Sequence, residues 1–87
     1  MFFKAEEKII LKAIMARPEI NDINAAYTPI RINDLQTSMD ERLIDITLDN
    51  MAKKSLLFTA GEYVSLSDMG TNAYRLLNWI EKDENTK

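Results

Sequence analysis

The commonest reactive groups in this chain are its fourteen carboxylates, and three pairs of them are adjacent: Glu6-Glu7, Asp40-Glu41 and Asp83-Glu84. Two carboxylates can act as general acid and general base when they point into one cleft. On a helix, though, neighbouring residues diverge by about 100° and do not share a site. The chain has no His and no Cys. That removes the commonest proton shuttle, the commonest metal ligand and the thiolate nucleophile. With two Gly in all, there is no glycine-rich loop to cradle a phosphate. These residues predict no catalytic residue, no metal site and no cofactor. Binding is the chemistry that remains.

A charged stretch runs from Met39 to Lys53. From Met39 to Asn50 there are four acids, Asp40, Glu41, Asp45 and Asp49, and one base, Arg42. If this segment is a helix with Ile44 pointing inward, Arg42, Asp45, Ile46, Asp49 and Lys53 point outward and Asn50 lies at the edge. Ser38 and Glu41 stand at its beginning. Such a face repels phosphate, yet acidic side chains can accept from cytosine amino groups and Ile46 can touch a thymine methyl. Ile46 can equally anchor a protein contact. A helix surface that is merely solvated is the third reading.

Bulk properties set the frame for these residues. The chain has 87 residues, 46% of them apolar, which fits one small globular domain with its own core. Eleven Lys and Arg against fourteen Asp and Glu leave a net charge of −3, which favours solubility and opposes approach to a polyanion. The start, Met1-Phe2-Phe3-Lys4-Ala5-Glu6-Glu7, turns acidic at once, unlike a signal peptide. No apolar run approaches the roughly 18 residues needed to cross a bilayer. The expectation is a cytoplasmic protein with no membrane partner.

The apolar spacing predicts the elements that carry the polar face. A first helix is expected over residues 4 to 16, with Ile9, Ile10, Ala13 and Ile14 inside and Lys4, Lys8 and Lys12 on a solvated side. Pro18 ends it. Residues 18 to 29 allow either a short helix with Ile20, Ile23 and Tyr27 on its apolar side, or turns built on Asn21, Asp22 and Asn24. Ile30-Arg31-Ile32 alternates as a short strand does. Asn33, followed three residues later by Gln36, predicts a short helix over 33 to 39. A longer helix follows from Met39-Asp40-Glu41 to Lys54, with Ile44, Leu48 and Met51 as its inner stripe and Leu43 and Thr47 beside it.

Leu56 to Thr59 and Tyr63 to Leu66 read as two strands turning at Ala60-Gly61-Glu62, a hairpin that needs no larger sheet. Ser67 caps a last helix with Asp68 in its first turn. Met69, Ala73, Leu76, Leu77 and Ile80 form its expected core stripe. Tyr74 and Trp79 lie off that stripe and either pack at its periphery or form a dimer interface of terminal helices, joined by Phe2 and Phe3. One domain over residues 1 to 82 and a polar tail over 83 to 87 are expected, the fold class being mainly α with a small β-hairpin (α+β).

Three stretches carry a family resemblance. Ile30-Arg31-Ile32-Asn33-Asp34-Leu35 resembles a short strand leading into a second helix. Leu48-Asp49-Asn50-Met51-Ala52-Lys53-Lys54-Ser55-Leu56-Leu57 resembles the end of a recognition helix and the start of a wing. Val64-Ser65-Leu66-Ser67-Asp68-Met69-Gly70 resembles the end of a wing, a capping hydroxyl and an early helical glycine. Together they resemble the winged helix-turn-helix superfamily, in particular its small bacterial, archaeal and phage regulators. The match covers most of the chain apart from an insertion at 18 to 29.

The resemblance implies the order α-β-α-α-β-β-α and a non-catalytic regulator of transcription that binds duplex DNA, commonly as a homodimer. It would place Arg31, Ser38, Glu41, Arg42, Asp45, Ile46, Asp49, Asn50 and Lys53 at the contact, with Lys54 and Arg75 framing it. The acidic face and a wing tip without Lys or Arg support the alternative, a protein-interaction module such as a phage-type modulator of host factors or a complex subunit. One departure stands out: Ser55 occupies the position where the family usually has Gly, so a left-handed cap there carries a non-glycine residue.

Overall fold

The computed structural model describes the backbone of residues 4–20 and 22–85 and all of these side chains except 22, 23 and 82–85. Among these residues it is a mixed fold of four helices and one small antiparallel sheet.

Helix α1 spans Ala5–Met15. It starts where the Lys4 amide donates to Glu7 Oε1 at 3.1 Å, and it closes where Arg17 Nε donates to the Ile14 carbonyl at 3.1 Å. Its buried face is Glu7, Ile10, Leu11 and Ile14, with Ala13 and Met15 at the sides. These first four are spaced i, i+3, i+4, i+7, a complete helical stripe. The expected stripe is corrected at Ile9, which is 42% exposed. The acid at position 7 disguises the true period, because a buried Glu does not read as apolar.

Helix α2 spans Asp22–Tyr27 and settles the open choice at residues 18 to 29 in favour of a short helix. Its inward residues are Ala25 and Ala26, whose small side chains let it lie close to α1. Ile20 packs against the core, whereas Tyr27 is exposed and donates from Oη to Asp68 Oδ1 at 2.5 Å. The Ile23 side chain and Asn21 lie outside the described residues. Arg17 also donates to the carbonyls of Ala25 and, at 2.7 Å, Thr28. One guanidinium thus closes the C-terminal ends of two successive helices.

Strand β1 covers Ile30–Arg31, and a 3-10 turn covers Ile32–Asp34. The helix expected over 33 to 39 is absent, and Asn33 sits inside the turn instead of capping a helix. Leu35 leaves the turn extended at φ −65° and ψ 124° and buries its side chain. Thr37 Oγ1 then accepts from the Met39 amide at 3.1 Å. Thr and Ser compete for backbone groups in this way, and so short a segment does not recover the cost of helix nucleation. The observed order therefore has α2 before β1 and only a turn between β1 and the next helix, instead of a helix on each side of a tight turn.

Helix α3 spans Glu41–Lys53 and is capped by Asp40, whose Oδ1 accepts from the Arg42 amide at 3.1 Å. Ile44, Thr47, Leu48 and Met51 are buried. Its end is a Schellman turn: the Leu56 amide donates to the Met51 carbonyl and the Ser55 amide to the Ala52 carbonyl, both at 3.0 Å. Ser55 takes the left-handed conformation at φ 63°, as expected from its place in the sequence.

Strands β2 (Leu57–Ala60) and β3 (Tyr63–Leu66) form a hairpin around Gly61, whose φ of 61° is the left-handed value that the first position of a type II′ turn requires. The hairpin does not stand alone. β1 pairs with the free side of β3, giving the order β1-β3-β2. Leu57, Val64 and Leu66 lie inside.

Helix α4 spans Asp68–Asn85, past the expected domain limit at residue 82, and 86 and 87 lie outside the described residues. Ser67 Oγ caps it, accepting from the Gly70 amide at 3.0 Å. Its buried face is Gly70, Thr71, Ala73 and Leu77, with Tyr74 packed against the core. Met69, Leu76 and Ile80 are exposed, so the expected stripe is rotated toward Gly70. The reason is backbone contact: a Cβ on Gly70 would lie 1.8 Å from the Leu56 carbonyl oxygen. Only glycine lets α4 approach the end of α3 so closely.

Two substitutions are expected to move stability in opposite directions. Ser55→Gly relieves the left-handed strain, and the Ser55 carbonyl, which accepts from Ser67 Oγ at 2.5 Å, is untouched by it. A gain of about 1 kcal/mol is expected, seen as a melting temperature raised by about 4–8 °C. Gly70→Ala is expected to cost about 3 kcal/mol or more, because backbone must move. Thermal and urea denaturation of both variants check the pair.

Candidate binding face of helix α3

The stripe Ile44, Leu48 and Met51 holds α3 against the core and turns its other flank outward. Glu41, Arg42, Asp45, Asp49 and Lys53 are exposed, Ile46 is 52% exposed and Asn50 is half-buried, as the helical projection expects. Ser38 is exposed in the extended segment just before the helix.

Two recesses border this flank. Glu41 and Asp45 line an open groove of about 480 Å³ whose other wall is the 3-10 turn and the hairpin tip, including Asn33, Thr37 and Glu62. Its floor is apolar, made by Ile32, Leu35 and Ile44. Ile46 and Asn50 line a smaller recess of about 180 Å³ between α3 and the start of α1, together with Leu43 and Glu6. The groove's second wall is missing from the expected site because it depends on the 3-10 turn replacing a helix. Glu62 is the one part of that wall with a signal in the sequence, as the acid of a wing tip without Lys or Arg.

Three of the cations around α3 are engaged within the chain, and Arg42 is exposed with no ion pair among the described residues. Lys53 Nζ lies 3.1 Å from Asp49 Oδ2 one turn earlier. Arg31 Nε is 3.8 Å from Glu62 Oε2, and its guanidinium lies 5.7 Å from the centre of the Tyr63 ring. Lys54, expected to frame the face, instead donates to Glu7 Oε2 at 2.7 Å. Arg75 is exposed on α4. Glu41 and Asp45 have no ion pair among the described residues. At the groove mouth, negative charge therefore exceeds positive charge.

Glu7 is 2% exposed and is the most buried acid among the described residues. Burial alone pushes its carboxyl pKa up. The hydrogen bond from Lys54, the Lys4 amide and the charges of both lysines outweigh burial and hold it below the usual carboxylate range. Removed from Lys54, the acid would be stranded between α1 and α3. The pair therefore helps to set how α3 leans on α1.

The expected dimer residues separate. Trp79 is 68% exposed, whereas Tyr74 is partly buried and packs against the core. Phe2 and Phe3 lie outside the described residues. Among the described residues, no group of His, Cys, Asp and Glu is arranged to hold a metal ion, and no helix is long and apolar enough to cross a membrane.

Glu7 also sets a pH dependence. Because its folded pKa is depressed, its stabilisation is fully present above the ordinary carboxylate range and is lost as pH falls through the folded value. Glu7→Gln is expected to cost about 2 kcal/mol at neutral pH. It should also flatten the fall in stability below about pH 4.5, the ordinary value of a free glutamate carboxyl, from which that of Glu7 is lowered. Urea denaturation of both proteins between acidic and neutral pH measures this.

No family model, curated protein or solved structure matches this chain.

Proposed function

We propose that this chain is a non-catalytic winged-helix domain that works as a protein-interaction module, presenting α3 and its acidic groove to a basic segment of a protein partner. The order β1, α3, β2-β3 hairpin and α4, with Ser67 capping and Gly70 early in the last helix, supports the winged-helix reading. The helix missing between β1 and α3 departs from it, and the 3-10 turn takes its place.

One observation carries the choice of partner. Lys53, Lys54 and Arg31 each face an acid of the chain itself, whereas Glu41 and Asp45 border the groove without a counter-ion among the described residues. A Lys or Arg side chain entering the groove would meet those carboxylates above an apolar floor, which favours an extended basic peptide with an apolar neighbour. Duplex DNA would bring phosphates to the same acids. The DNA-binding transcription regulator remains the second reading because Arg42, Ile46 and Asn50 lie on the outer flank of α3, where base edges would be met.

Capture from lysate with the wild type, Ile46→Asp and Asp45→Arg, beside duplex-DNA binding at two salt concentrations, separates the two readings. Both variants change exposed residues and should fold. The interaction module predicts a protein partner lost with Asp45→Arg, and only weak DNA binding. Tight DNA binding that falls steeply with salt and strengthens in Asp45→Arg would reverse the choice. Ile46→Asp should abolish whichever contact is real, and unchanged binding in that folded variant removes α3 from both readings.

A further inference from the structure

Strand β2 is the outer strand of the order β1-β3-β2, and among the described residues its far side has no strand beside it. Backbone parity shows which groups that side presents. In an antiparallel pair, positions that exchange hydrogen bonds alternate with positions that do not. The Ser67 amide donates to the Leu56 carbonyl at 3.1 Å, one step beyond the pairing of Leu57 with Leu66. Position 56 thus faces β3, and so do positions 58 and 60. The other side of β3 agrees: the Ile32 amide donates to the Glu62 carbonyl at 2.7 Å, two steps from the pairing of Ile30 with Val64. The Val64 backbone groups are therefore spent on β1. Leu57 and Thr59 direct their amides and carbonyls away from the sheet, and no hydrogen bond reaches them among the described residues.

Sheet edges are normally protected by Lys, Pro, a bulge or shortness. β1, the other edge, is protected by shortness, since its two residues run straight into the 3-10 turn. β2 has none of these devices. Its four residues, Leu57-Phe58-Thr59-Ala60, are uncharged, and Phe58 is 64% exposed on the outer face of the sheet.

We propose that β2 pairs antiparallel with β2 of a second copy of this chain, about a two-fold axis through Phe58. In this register Leu57 of each copy exchanges hydrogen bonds with Thr59 of the other. All four outward amides and carbonyls of each strand are then used. The two Phe58 rings take the non-hydrogen-bonded position, where opposed Cβ atoms come within about 4.5–5.5 Å.

Charge selects a second copy over an unrelated strand. Nothing charged lies within β2, so the axis opposes no like charges. The first charges outward from Phe58 in each direction, Lys54 and Glu62, are equally far from it in sequence. They are opposite in sign, and each is balanced within its own chain, Lys54 by Glu7 and Glu62 by Arg31, so the axis brings no uncompensated like charges together. The product is a continuous six-stranded sheet. A contact of this length is at the small end of specific interfaces, so the dimer is a weak, concentration-dependent one.

Sedimentation velocity from about 10 μM to about 1 mM, paired with amide exchange by NMR, tests this. The expected result is a monomer–dimer equilibrium in which protection rises with concentration at Leu57 and Thr59 and stays constant at Phe58 and Ala60. Phe58→Lys, at an exposed position, should keep the fold and raise the dimerisation midpoint about tenfold or more. Thr59→Pro removes one outward amide and should act likewise, while Trp79→Ser should leave the equilibrium unchanged. A monomer at every concentration overturns the proposal. So does a dimer that survives Phe58→Lys, or one lost only with Trp79→Ser.

Discussion

The carbonyl and amide of Leu56 tie the end of α3 to the hairpin and to α4. The amide closes the Schellman turn of α3 by donating to Met51, and the carbonyl accepts from Ser67 at the far end of the hairpin. The same carbonyl is the atom that an added Cβ on Gly70 would strike. Ser67 completes the junction, its hydroxyl donating to the Ser55 carbonyl at 2.5 Å and accepting from the Gly70 amide at 3.0 Å. The end of α3, the start of β2, the end of β3 and the start of α4 thus meet within a few atoms. Each backbone group left over by a helix terminus is taken by a neighbour, which is what a dry junction requires. The angle of α3 follows from this junction, since the buried Met51 and Leu56 leave its C-terminal turn little freedom.

The N-terminal side of the molecule uses charge where the junction uses backbone. Glu7 lies in the interior face of α1 and holds Lys54 just beyond α3, so both sides of α3 are fastened near the same turn. Arg17 does comparable work for α1 and α2, donating to carbonyls that neither helix satisfies itself. Helices as short as α2 are marginal alone. Two buried alanines against α1 and a guanidinium on its last carbonyls make a six-residue helix persist.

Elements with a strong local signal were legible from residue types. Ser67, Ser55 and Gly61 sit where a cap, a left-handed residue and a turn were expected, and α3 begins at the acidic start expected around Met39-Asp40-Glu41, because each acts through chemistry within a few residues. Signals that depend on distant contacts were not legible. Glu7 counted as polar until Lys54, 47 positions away, neutralised its burial. The α4 stripe pointed to Met69, Leu76 and Ile80 until Gly70 against Leu56 rotated it. At the candidate site the outward residues of α3 were legible because helical geometry alone places them. The groove was not, since its second wall comes from a turn that sequence pattern read as a helix.

The electrostatic character of the surface follows from how the cations are used in folding. Lys12 binds Glu81 between α1 and α4, Arg17 caps carbonyls, Arg31 joins Glu62 and Tyr63, and Lys53 and Lys54 hold Asp49 and Glu7. Most of these pairs are exposed, and exposed pairs add little stability. Their larger effect is on the field: a cation held beside an acid of its own chain attracts outside anions weakly. Fourteen acids against eleven bases leave carboxylates in excess, and beside α3 Glu41 and Asp45 border the apolar floor of Leu35 and Ile44, with Arg42 the unpaired cation of the helix among the described residues. A low-dielectric floor under unpaired carboxylates strengthens attraction for a cation that displaces water there. Around α3 the surface thus opposes a polyanion and attracts a cation.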